Sequence, residues 1–226
     1  MEISEKRVSK TKVIVIYLIV FYTIWALFEF FAKPFIDKTF TGDIISQIIK
    51  TVIIKNLVWV FPAAILIHYY KDDVCVGLKE MYTTKIKWLE YLPVLLLFII
   101  YPLITAYINK GSIIINEEFG VKQVITYTFV GITEEMVFRG WLLNATVGKE
   151  QQHKWRAILL TSFLFAAIHI PTWITQEQLI DNFVHLKFLF IVGLSIIFSF
   201  TFLKSKNIIV PIVLHMIWDF LIDMFC

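Results

Sequence analysis

Residues 13–32 read VIVIYLIVFYTIWALFEFFA, an apolar run interrupted by a single ionisable side chain, Glu29. Crossing the hydrocarbon core of a bilayer takes about 20 apolar residues at a rise of about 1.5 Å per residue. The run follows several lysine and arginine residues but has no small-residue cleavage site, which favours a retained helix over a signal peptide. We therefore expect this run to form a membrane-spanning helix that stays in the protein.

Further apolar runs bounded by charged residues repeat this pattern along the chain. With 58% hydrophobic and 17% charged residues, the 226-residue chain is too apolar for a soluble domain of its length. The sequence predicts an all-α polytopic membrane protein with about seven spans, in which residues 1–123 supply N-terminal helices and residues 124–226 the later, core helices. The predicted spans are 13–32, 51–70, 91–108, 124–147, 156–175, 188–203 and 207–226.

The charge distribution indicates topology rather than a charged partner. The net charge of +3 is spread through the loops, and without a basic stripe nucleic acid is not an expected partner. On the side of the N-terminal tail, which includes Lys6 and Arg7, lysine and arginine number thirteen, against six on the other side. The positive-inside rule then predicts a cytoplasmic N-terminus. The compact chain favours a bacterial cell membrane, and two cysteines, Cys75 and Cys226, give no disulfide framework.

Ionisable residues near the middle of a spanning helix are costly, so those present are usually paired or functional. Three of the later predicted spans contain six of them: Glu134, Glu135, Arg139, His169, His215 and Asp219. Three other charged residues lie close enough to span ends to extend toward water, namely Glu29, Lys55 and Asp223.

The stretch GITEEMVFRG, residues 131–140, contains two adjacent glutamates for which the sequence predicts different roles. Glu135 and Arg139 are four residues apart, share a helix face and are predicted to form an ion pair. Glu134 is turned about 100° away and has no cation on its own helix, so it is the carboxylate available for chemistry. Gly131 and Gly140 leave room for neighbouring backbones. The alternative is a structural polar cluster without chemistry.

Two histidines follow on separate spans. His169 precedes Pro171, which weakens the local backbone hydrogen bonding and frees a carbonyl. His215 and Asp219 are four residues apart, so Asp219 can orient the imidazole or accept a hydrogen bond from a reacting group. A lone histidine in a membrane helix is as often a hydrogen-bonding group between helices as a catalytic residue. Here, however, ionisable groups lie on three helices, and together they predict one shared cavity.

In chain order these motifs are Glu134-Glu135-x-x-x-Arg139, Phe165-x-x-x-His169 and His215-x-x-x-Asp219. The pattern resembles the CAAX-protease and bacteriocin-processing family of intramembrane peptidases, also called the Abi family. The motifs cover about residues 131–219, and the first three spans match the family only in being hydrophobic. That family usually has asparagine or aspartate where Asp219 stands.

The resemblance implies an endopeptidase that hydrolyses a membrane-associated peptide or protein. In that family's terms Glu134 is the general base that activates water, and His169 helps to hold the water. His215 and Asp219 face the scissile carbonyl and stabilise its oxyanion, while the ion pair of the fourth span organises the helix. Family members cut prenylated proteins or take part in peptide export, bacteriocin self-immunity or pheromone maturation, so the substrate stays open.

Metal dependence also stays open at this point. Glu134, His169 and His215 could form a zinc site with a bound water, which would make zinc the cofactor. The sequence has no His-Glu-x-x-His helix, the usual local zinc motif. We favour the metal-free glutamate mechanism.

The same residues also permit functions other than a peptidase. A rhomboid-type serine peptidase would use Ser195, but serines in spanning helices commonly bond their own backbone. A non-catalytic immunity or partner-binding membrane protein could use the same buried groups, as could a small proton-coupled transporter. Transporters usually contain repeated halves, and the chain shows no such symmetry.

Overall fold

The computed structural model describes residues 8–40, 42–151 and 153–226, so the predicted tail positions Lys6 and Arg7 lie outside the described residues. All regular secondary structure in these ranges is helical. We label the helices α1 (Lys10–Thr39), α2 (Asp43–Tyr69), α3 (Glu80–Thr83), α4 (Trp88–Lys110), α5 (Val121–Glu135 with its continuations Met136–Leu143 and Asn144–Val147), α6 (Lys154–Thr175), α7 (Leu179–Val184), α8 (Lys187–Ser205) and α9 (Ile209–Phe225).

Five helices of the described chain are long and apolar enough to cross a membrane: α1, α2, α4, α6 and α8. The two remaining predicted spans, 124–147 and 207–226, are helical as α5 and α9. However, α5 carries three charged side chains within its apolar stretch, and α9 has 17 residues. The predicted all-α membrane architecture is confirmed, whereas the count of seven spans is not.

Helix α5 lies at the centre of the molecule and contacts α2, α6, α8 and α9. Gly131 allows the close approach to α9, because a Cβ atom there would lie 2.8 Å from Met216 Cγ and 3.4 Å from the carbonyl oxygen of Ile212. The close backbone approach predicted for Gly131 is confirmed. At Gly140 the nearest neighbour on another helix is the side chain of Ile67 rather than a backbone.

Three helices contain π-helical stretches, in which the turns are wider than in an α-helix. They are Phe28–Ala32 in α1, Ile48–Ile54 and Asn56–Val60 in α2, and Met136–Leu143 in α5. Such turns are rare and frequently occur at functional sites. Here they lie in helices that surround one polar cavity.

Candidate active site

A cavity of about 250 Å³ lies between α1, α2, α5 and α6. Helix α5 contributes Thr126, Val130 and Glu134, which are four residues apart and therefore lie on one face. The same spacing turns Glu135 away from the cavity. Among the described residues, the titratable side chains that line it are Glu29, Lys33, Lys50, Lys55, Glu134 and His169.

Glu134 is largely buried, with 6% of its surface exposed, yet its carboxylate forms no hydrogen bond with the described part of the chain. Its nearest cation is Lys55 of α2, whose Nζ lies 3.6 Å from Glu134 Oε1. This separation is an ion pair but exceeds hydrogen-bonding distance. Both carboxylate oxygens therefore keep their capacity to accept hydrogen bonds from water in the cavity.

His169 lies on the same cavity, where α6 is interrupted at Ile168. Its Nδ1 atom is buried and has no hydrogen-bond partner within the described ranges. His169 and Glu134 line the same cavity, so a water molecule held there can contact both side chains.

Two hydrogen bonds tie α1 to α6 next to this histidine. The indole Nε1 of Trp25 donates to the carbonyl oxygen of Ile168 at 2.8 Å, and the Tyr22 hydroxyl donates to the carbonyl of Leu164. Both acceptors lie just before His169, in the segment that Pro171 was predicted to perturb. Helix α1 thus fixes the helix that carries His169.

The other motif residues form a second, separate cluster. Arg139 Nη1 lies 3.0 Å from Glu135 Oε1, so the predicted ion pair is present. His215 Nδ1 lies 2.8 Å from the same carboxylate oxygen, and His215 Nε2 lies 3.4 Å from Asp219 Oδ2. Glu135 therefore joins α5 to α9 as well as pairing within its own helix.

Aromatic rings enclose this cluster. The Arg139 guanidinium carbon lies 4.5 Å from the ring centroid of Phe165, and the His215 ring stacks on Phe198 at 4.9 Å. Arg139 Nη2 donates to the Ser195 hydroxyl at 2.6 Å. Because a guanidinium does not act as a base, this contact gives no support to Ser195 as a nucleophile.

The expectation of one shared cavity is only partly met. Glu134 and His169 line the cavity together, whereas His215 and Asp219 are absent from its described lining. The reason is that Glu135 holds the His215 ring, a contact that helical spacing within either helix cannot reveal. The roles assigned to these residues from the sequence stay predictions.

The geometry of the motif residues bears on the zinc alternative. Within the ranges that the structure describes, no group of three or more His, Cys, Asp or Glu side chains is arranged to hold a metal ion. Both ring nitrogens of His215 face carboxylates, which leaves neither directed at Glu134 and His169. The set Glu134, His169 and His215 does not fit a zinc site in this arrangement, and cofactor-free chemistry stays a prediction.

Sequence reasoning missed the role of α1 and α2 in the cavity. Glu29 and Lys55 were expected to extend from span ends, but they are buried, with 3% and 9% of their surfaces exposed. Glu29 pairs with Lys33 at 2.7 Å. One available signal was the four-residue spacing of Lys55 and Trp59, which places a cation over an aromatic ring on one helix face.

Comparisons with known proteins agree with the motifs. Residues 117–221 match the family model described as type II CAAX prenyl endopeptidase Rce1-like, which confirms the family resemblance over that segment. An Escherichia coli protein described as an uncharacterized 24.3 kDa protein is 36% identical over 85 residues, 38% of this chain. The match spans 35% of that relative's length. No solved structure matches the chain.

Proposed function

We propose that this chain, whose residues 117–221 carry the Rce1-like match, is an intramembrane endopeptidase that cuts a membrane-associated peptide or protein with Glu134 as general base. One observation carries the proposal. The Glu134 carboxylate is buried, makes no hydrogen bond to the described residues and lines the same cavity as His169. A water molecule between these two groups would find an acceptor for its proton and a second polar contact.

The reaction needs no further reactant than water. Glu134 takes a proton from the water, whose oxygen attacks the carbonyl carbon of the scissile bond. The carbonyl electron pair moves to oxygen and forms a tetrahedral oxyanion. Collapse of this intermediate breaks the carbon–nitrogen bond, and Glu134 returns the proton to the leaving amine. Burial of the site excludes competing solvent.

We assign stabilisation of the oxyanion to His215 and Asp219. Support comes from the separation of 3.4 Å between His215 Nε2 and Asp219 Oδ2, because Asp219 can orient the imidazole that would donate to the oxyanion, while Asp219 itself donates only when it is protonated. Substrate binding would have to bring the carbonyl to the His215 ring, since that ring faces Glu135 and Asp219 in this structure. Glu135 and Arg139 then hold the ring in place. Residence in a bacterial membrane, with a cytoplasmic N-terminus, is part of the same proposal.

The test uses the full chain reconstituted in liposomes with internally quenched peptides that end in a CAAX sequence, farnesylated or unmodified. Wild-type protein should cleave at least one of the two, which also distinguishes a prenylated from an unprenylated substrate. Glu134→Gln should lower the cleavage rate by about 10²–10⁴-fold, the range for loss of a general base. A strong chelator should leave most of the wild-type activity, because no metal is then needed.

Glu118→Gln is the matched control, since this glutamate is exposed and is not among the residues that line the cavity. It should cleave at the wild-type rate. Near wild-type cleavage by Glu134→Gln would show that Glu134 is not the general base. Loss of activity with chelator that zinc restores would replace the glutamate mechanism with a metal mechanism, and failure of folded wild-type protein to cleave either peptide would count against this peptidase class.

A further inference from the structure

We infer that Lys55 of α2 is a positioning residue for Glu134, holding the carboxylate ionised and aimed into the cavity. This inference rests on the proposed role of Glu134. Lys55 lies outside the segment that matches the Rce1-like family, so the first two helices would complete a site whose motifs all lie later in the chain.

The first support is the way the Lys55 ammonium is held. Its Nζ lies 4.8 Å from the ring centroid of Trp25 and 4.7 Å from that of Trp59. The two indole rings contact each other edge to face at 4.8 Å. A cation above two aromatic faces is attracted by both, and the attraction is larger where water is excluded. The ammonium is therefore fixed in position without a hydrogen bond to the described residues.

The surrounding helices fix this aromatic pair in turn. Trp25 is anchored to α6 by its hydrogen bond to the Ile168 carbonyl, beside His169. Lys55 itself lies between the two π-helical stretches of α2, and its backbone N–H donates to the carbonyl of Lys50, five residues back. The same contacts thus place Lys55, Trp25 and His169 around one cavity.

The second support comes from comparing Lys55 with the other two lysines of the cavity. Lys33 Nζ lies 2.7 Å from Glu29 Oε2, and Lys50 Nζ lies 2.5 Å from Asp37 Oδ1, both within hydrogen-bonding distance. Lys55 stands 3.6 Å from Glu134 Oε1. It supplies a compensating charge but occupies neither oxygen of Glu134 with a hydrogen bond. A base must have this combination, being ionised yet free to accept a proton.

A purely structural lysine would be expected to make a close ion pair or to extend toward water. Lys55 does neither, as 9% of its surface is exposed. Without its charge, the buried carboxylate of Glu134 would lack its nearest compensating cation. It would then take up a proton, and protonation removes the base.

The first experiment measures the state of Glu134 without any substrate. Purified protein is treated with dicyclohexylcarbodiimide, an apolar reagent that activates protonated carboxyl groups. Modification at Glu134 is quantified by mass spectrometry as the sum of the N-acylurea adduct and the amide crosslink that the activated carboxyl group forms with Lys55, which releases dicyclohexylurea. Lys55→Met, which keeps the length of the chain but not its charge, should raise the modification rate at Glu134 about tenfold, equivalent to a tenfold change in the protonated fraction. Lys55→Arg should stay near the wild-type rate.

Lys122→Met is the matched control. Lys122 also pairs with a carboxylate, since its Nζ lies 3.4 Å from Asp43 Oδ2, but both side chains are exposed. This variant should leave modification of Glu134 unchanged. Equal modification rates in wild type and Lys55→Met would overturn the inference, whatever the peptide assay shows.

The second experiment uses the two CAAX peptides as probes. Lys55→Met should lower kcat about tenfold or more with a KM within about threefold of wild type, and Lys55→Arg should recover most of kcat. In a Glu134→Gln background, Lys55→Met should add no further loss, because a residue that acts through Glu134 has nothing left to position. The double variant also avoids an uncompensated carboxylate, so it stays measurable if the single variant folds poorly.

The possible failures are distinguishable. If Glu134→Gln abolishes cleavage but Lys55→Met leaves kcat unchanged, Lys55 has no positioning role and the peptidase proposal stands. If Glu134→Gln cleaves normally, the proposed function itself is wrong. Equal fractional losses from Lys55→Met in both Glu134 backgrounds would show a general structural effect and also overturn the inference.

Discussion

Two adjacent glutamates in α5 have the same chemistry but very different surroundings. Glu134 faces a cavity and stands 3.6 Å from a lysine, whereas Glu135 is completely buried and contacts both Arg139 and His215 through one oxygen. Their side chains diverge because consecutive residues of a helix point about 100° apart. Substituting each one should therefore damage a different property of the protein.

We expect Glu135→Gln to destabilise the protein by about 3–5 kcal/mol, the cost of leaving a buried cation without its partner. The amide can still accept one hydrogen bond, but it cannot neutralise Arg139. Chemical unfolding in mild detergent, followed by far-UV circular dichroism, would measure the change in unfolding free energy. Glu134→Gln should lose less stability, since its carboxylate makes no hydrogen bond to the described residues. Equal losses for the two variants would contradict this assignment.

Combining Glu135→Gln with Arg139→Gln tests the contact itself. The double variant should lose less unfolding free energy than the two single variants lose in sum. The difference should be about 0.5–3 kcal/mol, the range found for residues in contact. Recovery should be incomplete, because Arg139 also donates to Ser195 and lies over the ring of Phe165. Purely additive losses would mean that the two charges do not stabilise each other.

At the residue scale, sequence spacing predicted contacts within a helix and failed for contacts between helices. The four-residue spacing of Glu135 and Arg139 was sufficient to predict their ion pair. The contact of Glu135 with His215 joins positions 80 residues apart, and that of Lys55 with Glu134 joins α2 to α5. Such distances depend on tertiary packing, which a spacing rule does not contain.

At the scale of elements, the packing of α5 on α9 depends on one glycine. We expect Gly131→Ala to destabilise the protein by about 1–3 kcal/mol, because the added methyl group would overlap Met216 and approach the Ile212 carbonyl. Thermal unfolding followed by intrinsic fluorescence would detect the loss.

Gly193 in α8 provides the control for that substitution. A Cβ atom at Gly193 would meet nothing within 4 Å. Gly193→Ala should therefore be neutral or stabilise the helix by up to about 1 kcal/mol, since alanine is the better helix former. A melting temperature lowered equally by both substitutions would show that the α5–α9 contact is not responsible for the loss.

Helix positions were predictable from apolar runs, but the π-helical stretches were not. A helix surrounded by lipid and by other helices is apolar on most faces, so its hydrophobic pattern carries little information about local winding. The wide turns of α1 and α2 beside the cavity could only be found in three dimensions. For the same reason, the sequence located the later helices of the site and overlooked the first two.

For the whole molecule, the charge bias makes a testable prediction about orientation. In a Cys75→Ser/Cys226→Ser background, which removes both native cysteines, a cysteine introduced by Ser4→Cys should resist a membrane-impermeant maleimide in intact cells. It should react after permeabilisation, since the tail is predicted to be cytoplasmic.

A second single cysteine supplies the comparison. Ser112→Cys lies between α4 and α5, on the side predicted to be external, and should react in intact cells. Labelling of the N-terminal cysteine from outside, with protection of position 112, would show that the topology is the opposite of the predicted one.

The division of the chain at residue 123 stays a prediction, although the cavity is lined by helices from both parts.

The cavity wall is divided between helices before and after residue 117, where the Rce1-like match begins. The motif residues of the proposed reaction would then lie late in the chain, while the first two helices would supply Lys55 and help to decide which molecules fit beside the reacting groups. Two proteins with the same three motifs and a lysine at the position of Lys55, but otherwise unrelated first helices, would perform one reaction and still reject each other's substrates. Redesign of selectivity should accordingly begin before residue 70, with Lys55, Glu134 and His169 left untouched.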